Sequence, residues 1–296
     1  MSLPQAILFF FVYALLGWCA EVAFAAVTTR QLVNRGFLNG PLCPIYGFGM
    51  VALLLAVRPV AGSAAAVFVL GLALATLVEL AGGWVLYRLF HARWWDYSDQ
   101  RWNLGGFICL KFSLLWGAGS VVMVRLVHPL LAGPVQRLPH AALLGIDAVL
   151  LALFAADVGV SFAQAAGLTR RLRALEDLAQ GVRRLSDALT EHIGEGAMTA
   201  DTLLDEQKLQ LTLAAMEGRD NAAALRAQLL DLAAGARAQY AGAEKLARQR
   251  FFGAGRLLRA FPHMQAPRQA EALARLRDLT ARLARRLKDS LPGGQG

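Results

Sequence analysis

Charge is scarce in this sequence. Asp, Glu, Lys and Arg make up 17% of its 296 residues, while 56% are hydrophobic and the mean hydropathy is +0.44. An ordinary soluble domain carries about 25% charged residues, so a purely soluble globular chain is excluded. Cysteine is scarce too. Cys19, Cys43 and Cys109 have no CxxC spacing, which excludes a disulfide scaffold and leaves free thiols. No GxxxxGK followed by Ser or Thr occurs, so the chain has no phosphate-cradling loop of its own. No Lys or Arg precedes Arg30. The first apolar run therefore lacks the basic start of a signal peptide, although Ala23-Phe24-Ala25 resembles a cleavage site, and it reads as an uncleaved span.

Catalytic and metal signatures are missing as well. Cys43, His91, Asp96 and Cys109 fall towards one membrane face, but no nucleophile motif surrounds either cysteine, and no enzyme activity is expected. His128 and His140 flank a loop with Pro129, Pro134 and Pro139 and read as loop residues. No His, Cys, Asp or Glu cluster has zinc spacing, so neither metal nor cofactor is expected.

What the sequence has is apolar length. Segments 4–28, 64–89, 104–127 and 140–163 are long enough for transmembrane helices. A fifth, 44–57, reaches only about 20 Å as a helix, short of a hydrocarbon core of about 30 Å. It either spans by local thinning or is re-entrant. With five spans and a cytoplasmic tail, the N-terminus lies outside. Inner loops then hold Arg30, Arg35, Arg88, Arg93 and Arg101, and outer loops hold Arg58, Arg125 and Arg137. The expected fold is an all-α polytopic membrane helix bundle of about five spans over residues 1–165. A cytosolic helical hairpin or coiled-coil-like bundle follows over 166–296.

Net charge is +3 before residue 168 and +6 after it. The tail mixes both signs and has no recognition motif, so nucleic acid is not an expected partner. The lipid bilayer is, and self-association into a homo-oligomer is a further possibility the sequence leaves open. The tail begins with Leu168, Leu172, Leu175, Val182, Leu185 and Leu189 at helical steps. Gly194 and Gly196 interrupt it, and Thr199 or Asp201 starts the next helix. After a break near Gly218 or Asp220, one long helix is expected up to Phe261, stopped by Pro262, and a last one from Pro267 to Leu287.

Charges inside the apolar segments are costly and must face protein or water. Glu21, Glu79, Lys111, Asp147 and Asp157 fall there. Tyr13, Gly17, Glu21 and Ala25 share one stripe, as do Gly71, Ala75, Glu79 and Gly83, and small residues permit close helix contact. Asp157, Ser161 and Gln164 form a third. Two readings stay open. Glu21, Glu79, Lys111 and Asp157, with Arg35, Arg93 and Asp96 from the inner loops, line a polar cavity that binds a cation, a proton or a cationic group. Alternatively, a buried Glu–Lys pair fixes helix register. Trp84, Tyr87, Trp94, Trp95, Tyr97 and Trp102 gather at the same membrane edge.

Four stretches, "GWCAE" (17–21), "NRGFLNGPLCPIYG" (34–47), "RWWDYS" (93–98) and "NLGGFICLKFSLLWG" (103–117), together resemble the bacterial membrane protein family named putative ABC-transporter type IV. The tail stretch "RLLRAFPHMQAPRQAEAL" (256–273) is similar to a segment that follows the domain in that family. The resemblance implies an inner-membrane permease, and the missing P-loop implies a separate ATPase subunit. The runner-up function is a non-transporting membrane scaffold or sensor whose helical tail binds a partner.

Overall fold

A computed structural model describes residues 1–30, 32–193, 222–249 and 252–289, together with 205, 207, 208 and 210. The expectations at Gly194, Gly196, Thr199, Asp201, Gly218 and Asp220 lie outside the described residues. The chain divides into two compact units. One is residues 1–166 with 251–266, and the other is 167–250 with 267–296. The segment 251–266 thus belongs to the apolar unit, although it follows most of the charged tail in sequence.

The apolar unit is built from helices. Helix α1, Leu3–Thr29, starts on a capping box in which the Ser2 hydroxyl and the Gln5 side chain satisfy each other's backbone N–H groups. It ends at Arg30 in the left-handed region, φ 55. Helix α2, Pro44–Ala56, is capped without side-chain help because Pro44 has no N–H to satisfy. Helix α3, Ala64–Phe90, starts on Ser63, whose hydroxyl accepts from the Ala66 N–H. A two-residue ladder of β1, Asn103–Leu104, and β2, Ile108–Cys109, precedes α4, Leu110–Val122. The fourth apolar segment therefore begins as a hairpin and turns helical six residues later than 104.

Helix α4 does not stop near residue 127. It passes through a π turn, Met123–Val127, into α5, His128–Gln136. Pro129 has no N–H and its ring would strike the carbonyl four residues back; the wider turn relieves both problems. This corrects the loop assignment of His128, which is helical and accepts or donates at Nδ1 with the Tyr13 hydroxyl at 2.7 Å. The Arg125 guanidinium bonds the carbonyl of Gly62 and lies 3.4 Å from that of Ala61, between α2 and α3. Helix α6, His140–Ile193, begins in the apolar unit and continues into the second one.

Among the described residues, four helices are long and apolar enough to cross a membrane: Leu3–Thr28, Ala64–Phe90, Leu110–Gln136 and His140–Arg184. Helix α2 is apolar but has 13 residues. The geometry explains its length. The Cys43 N–H donates to the carbonyl of Ala14, halfway along α1, at 2.9 Å. Helix α2 therefore starts halfway down its neighbour and fills one half of the depth, against Leu8 and Phe9 through Leu53, Leu54 and Val57. Residues 34–43 fill the other half as irregular backbone. We call the end where α1 and α3 finish the loop end.

Close helix contacts use the small-residue stripes. A Cβ at Gly17 would overlap the Tyr46 ring, and one at Gly71 would overlap Ser120 of α4. The Thr76 hydroxyl donates to that of Ser113 across the same α3–α4 seam at 2.8 Å.

In the second unit, helix Ala222–Arg248 buries Leu229, Ala233, Ala243 and Leu246, and helix Ala270–Asp289 buries Ala272, Leu273, Leu276 and Leu283. The expected single helix reaching Phe261 is corrected. The chain leaves the helix after Arg248, turns at Gly253 with φ 91, and forms a separate short helix, Ala254–Ala260. A positive φ of that size suits glycine at the start of the short helix, and the long helix has already ended at Arg248, well before Pro262.

Candidate functional site

Irregular backbone at membrane depth must be satisfied inside the protein, since lipid offers no hydrogen bonds. Residues 34–43 meet that demand through side chains from three parts of the chain. The Asn34 Oδ1 accepts from the Trp18 indole at 2.7 Å and from the Gly36 N–H at 3.0 Å, while its Nδ2 donates to the carbonyl of Asn39 at 2.9 Å. Asp157 of α6 accepts from the N–H groups of Asn39 and Gly40 at 3.0 and 2.7 Å, and the Ser161 hydroxyl donates to it at 3.1 Å. The Asn39 side chain donates to the Ser161 hydroxyl at 2.9 Å and to Asp157 at 3.3 Å, and accepts from the Gly253 N–H at 3.3 Å.

The most distant contributor in sequence is Arg256. Its guanidinium donates to the carbonyls of Asn34, Gly36 and Phe37 at 3.2, 2.5 and 2.9 Å, and the residue is fully buried. Burial pulls its pKa down to about 10, against the opposing charges of Asp157 and Cys43, so it remains a cation at neutral pH.

The glutamates lie beside this segment. The Tyr46 hydroxyl donates to Glu21 Oε1 at 2.6 Å, and the Arg35 Nε stands 3.6 Å from Glu21 Oε2. Arg35 also lies over the Phe24 ring, 5.4 Å from its centre. Glu79 is buried in α3 and its Oε1 accepts from the Tyr97 hydroxyl at 3.0 Å. Burial and the Glu79 charge hold the Tyr97 hydroxyl well above the usual tyrosine range. Trp116 packs edge-on against Tyr46, 5.7 Å between ring centres, and reaches towards Glu79. Glu21 is near enough to act electrostatically on both Glu79 and Tyr97. Two carboxyls from α1 and α3 thus share one neighbourhood, each holding a tyrosine hydroxyl.

Arg93 and Asp96 meet at 3.6 Å in the loop between α3 and β1. Arg93 stacks near Phe107 and Tyr87, 5.2 and 5.9 Å from their ring centres. Its backbone exchanges both hydrogen bonds with Gln265, at 2.7 and 2.8 Å, and the Gln265 amide donates to Asp96. Trp94 is buried between Phe37, Phe90 and Phe261, whereas Trp84 and Trp102 are exposed. Gly106 has φ 74, and a Cβ there would overlap Asp96.

The candidates therefore fall into three groups: Glu21 with Arg35 and near Glu79, Arg93 with Asp96, and Asp157 on Asn39 and Gly40. Lys111 joins none of these groups. It is exposed, with its ammonium 5.8 Å from the Phe112 ring centre. Asp147 is buried at the opposite end. Asn34, Asn39, Tyr46, Tyr97, Ser161 and Arg256 carry hydrogen bonds that no local motif announces. Among the described residues no group of three or more His, Cys, Asp or Glu is placed to hold a metal. An open groove of about 420 Å³ runs along α6 beside Asn39, Asp157, Gln164 and Phe252.

Four helices long and apolar enough to cross a membrane, with a partly buried irregular segment between the first and α2 and with carboxyls on the apolar helices, mark a helical membrane protein. The chain belongs to the family described as putative ABC-transporter type IV, whose model matches residues 8–162. That range contains all four of the stretches that carried the resemblance. No curated protein and no solved structure matches the chain.

Proposed function

We propose that the chain is the membrane subunit of an ABC-type permease in a bacterial inner membrane. Its N-terminus lies outside and its tail in the cytoplasm. Helix α2 and residues 34–43 together make the fifth traverse. A separate P-loop ATPase supplies the energy, and the unit of residues 167–250 and 267–296 is a cytosolic helical hairpin or small bundle. One observation carries the reading: Glu21 and Glu79, on two different membrane-length helices, each accept from a tyrosine hydroxyl, Tyr46 and Tyr97 respectively. Intramembrane acids facing protein mark substrate or ion pathways. The pair suits a cationic group on a substrate, or a coupling cation. Purification from native membranes tests the proposal. A stoichiometric P-loop ATPase supports it; a non-ATPase partner in its place contradicts it.

A second reading has its own support. The helical unit is interrupted in sequence by 251–266, which belongs to the apolar unit. That connectivity suits a membrane scaffold or sensor whose helical unit binds a partner.

A further inference from the structure

A buried arginine usually answers a carboxylate. Arg256 answers three carbonyls instead. Its Nη1 donates to Asn34 and Gly36, its Nη2 donates to Phe37, and its Nε has no partner among the described residues. Those carbonyls belong to one irregular stretch, folded so that their oxygens converge. Asn34 and Asp157 hold that fold by other hydrogen bonds. Unwound backbone whose carbonyls converge is the device by which membrane proteins hold cations. Three carbonyls facing the two terminal nitrogens of a planar donor fit a guanidinium better than a spherical ion, because each carbonyl meets its own N–H.

We propose that the carbonyls of Asn34, Gly36 and Phe37 form a guanidinium-binding cage, which Arg256 fills from the same chain as a plug. The cage follows from geometry alone and stands whether or not the chain transports anything. The plug rides on residues 252–266, a strap fastened at Gly253 to Asn39 and at Gln265 to Arg93 and Asp96. Emptying the cage leaves one buried and two partly buried carbonyls without their donor, and the irregular segment opens to recover them. Cys43 reports that opening, because it ends the segment and is buried.

The test is maleimide labelling of the full-length protein in detergent, with peptide mass spectrometry following Cys43 and Cys109. Cys109 is buried in strand β2 of the hairpin and serves as the control. Arg256→Ala is expected to raise Cys43 labelling about tenfold or more while Cys109 stays protected. Millimolar methylguanidinium restores Cys43 protection in that variant, and potassium chloride at equal ionic strength does not. Arg256→Lys keeps a cation but not the fork, and is expected to label at an intermediate rate. Unchanged Cys43 labelling in Arg256→Ala overturns the proposal. So does failure of methylguanidinium to protect, equal protection by potassium, or a parallel rise at Cys109.

Discussion

Asp157 grips Asn39 across 118 positions of sequence. One carboxylate accepts from the Asn39 N–H, the Asn39 amide and the Gly40 N–H. The contact fixes irregular backbone at membrane depth to α6. Asp157→Ala removes the acceptor and leaves the Gly40 N–H short of a partner, while the Asn39 N–H keeps the Ser161 hydroxyl at 3.1 Å. The expected cost is about 2–4 kcal/mol, read as a lowered thermal midpoint in detergent. Ser161→Ala leaves the carboxylate in place and should cost distinctly less. Equal losses for both would show that the hydroxyl, not the carboxylate, holds the segment.

Glycine substitutions separate packing from composition. Gly17→Ala drives a methyl into the Tyr46 ring and Gly71→Ala drives one into Ser120, whereas a Cβ at Gly49 meets no described atom within 4 Å. The first two are expected to lose about 1–3 kcal/mol and Gly49→Ala almost nothing. Thermal unfolding of the three variants under identical conditions checks this. A Gly49→Ala loss as large as the others would mean that the helices pack differently.

The three thiols differ in access. Cys19 is exposed, while Cys43 and Cys109 are buried. Maleimide needs a thiolate that it can reach, so it should modify Cys19 first in the folded protein. Burial should keep Cys43 slow. Rapid labelling of Cys43 at pH 8 would place that segment elsewhere.

Arg35 and Arg58 test the two ends. Arg35 pairs with Glu21 at partial exposure, so its loss is expected to cost under about 1 kcal/mol of stability. Its effect should fall on function, since it neutralises one member of the carboxyl pair. Arg58 lies in a short turn at the opposite end. ATP hydrolysis by the purified native complex should drop for Arg35→Ala and hold for Arg58→Ala. Similar mild effects would make the 34–47 stretch a connecting loop.

Hydrophobic length made four of the apolar helices legible, because a helix of about 20 apolar residues matches the thickness of a hydrocarbon core. The small-residue stripe through Gly17 and Glu21 was legible by spacing, since a helical repeat alone puts those residues on one face. Three features were not. The helix through His128 looked like a loop because Pro129 normally ends a helix, and only the π turn accommodates it. Arg256 was not legible as a buried residue, because its neighbours repeat the Arg/Leu/Ala pattern of the tail and nothing local signals burial. Tyr97 looked like an interfacial aromatic and Tyr46 carried no signal of its own, because which carboxyl a hydroxyl meets depends on long-range packing. Residues that act through distant partners leave no periodic trace.

The carboxyl pair is the centre of the proposed function, and one measurement addresses it most directly. Wild type and Glu79→Gln are purified from native membranes, and the associated ATPase is quantified along with its hydrolysis rate in nanodiscs. Glu79→Gln keeps the shape and the acceptor for Tyr97 but removes the charge. The expected result is a stoichiometric ATPase in both preparations and a hydrolysis rate about tenfold lower in the variant. An ATPase-free wild-type preparation, or equal rates in the two, would contradict the permease reading.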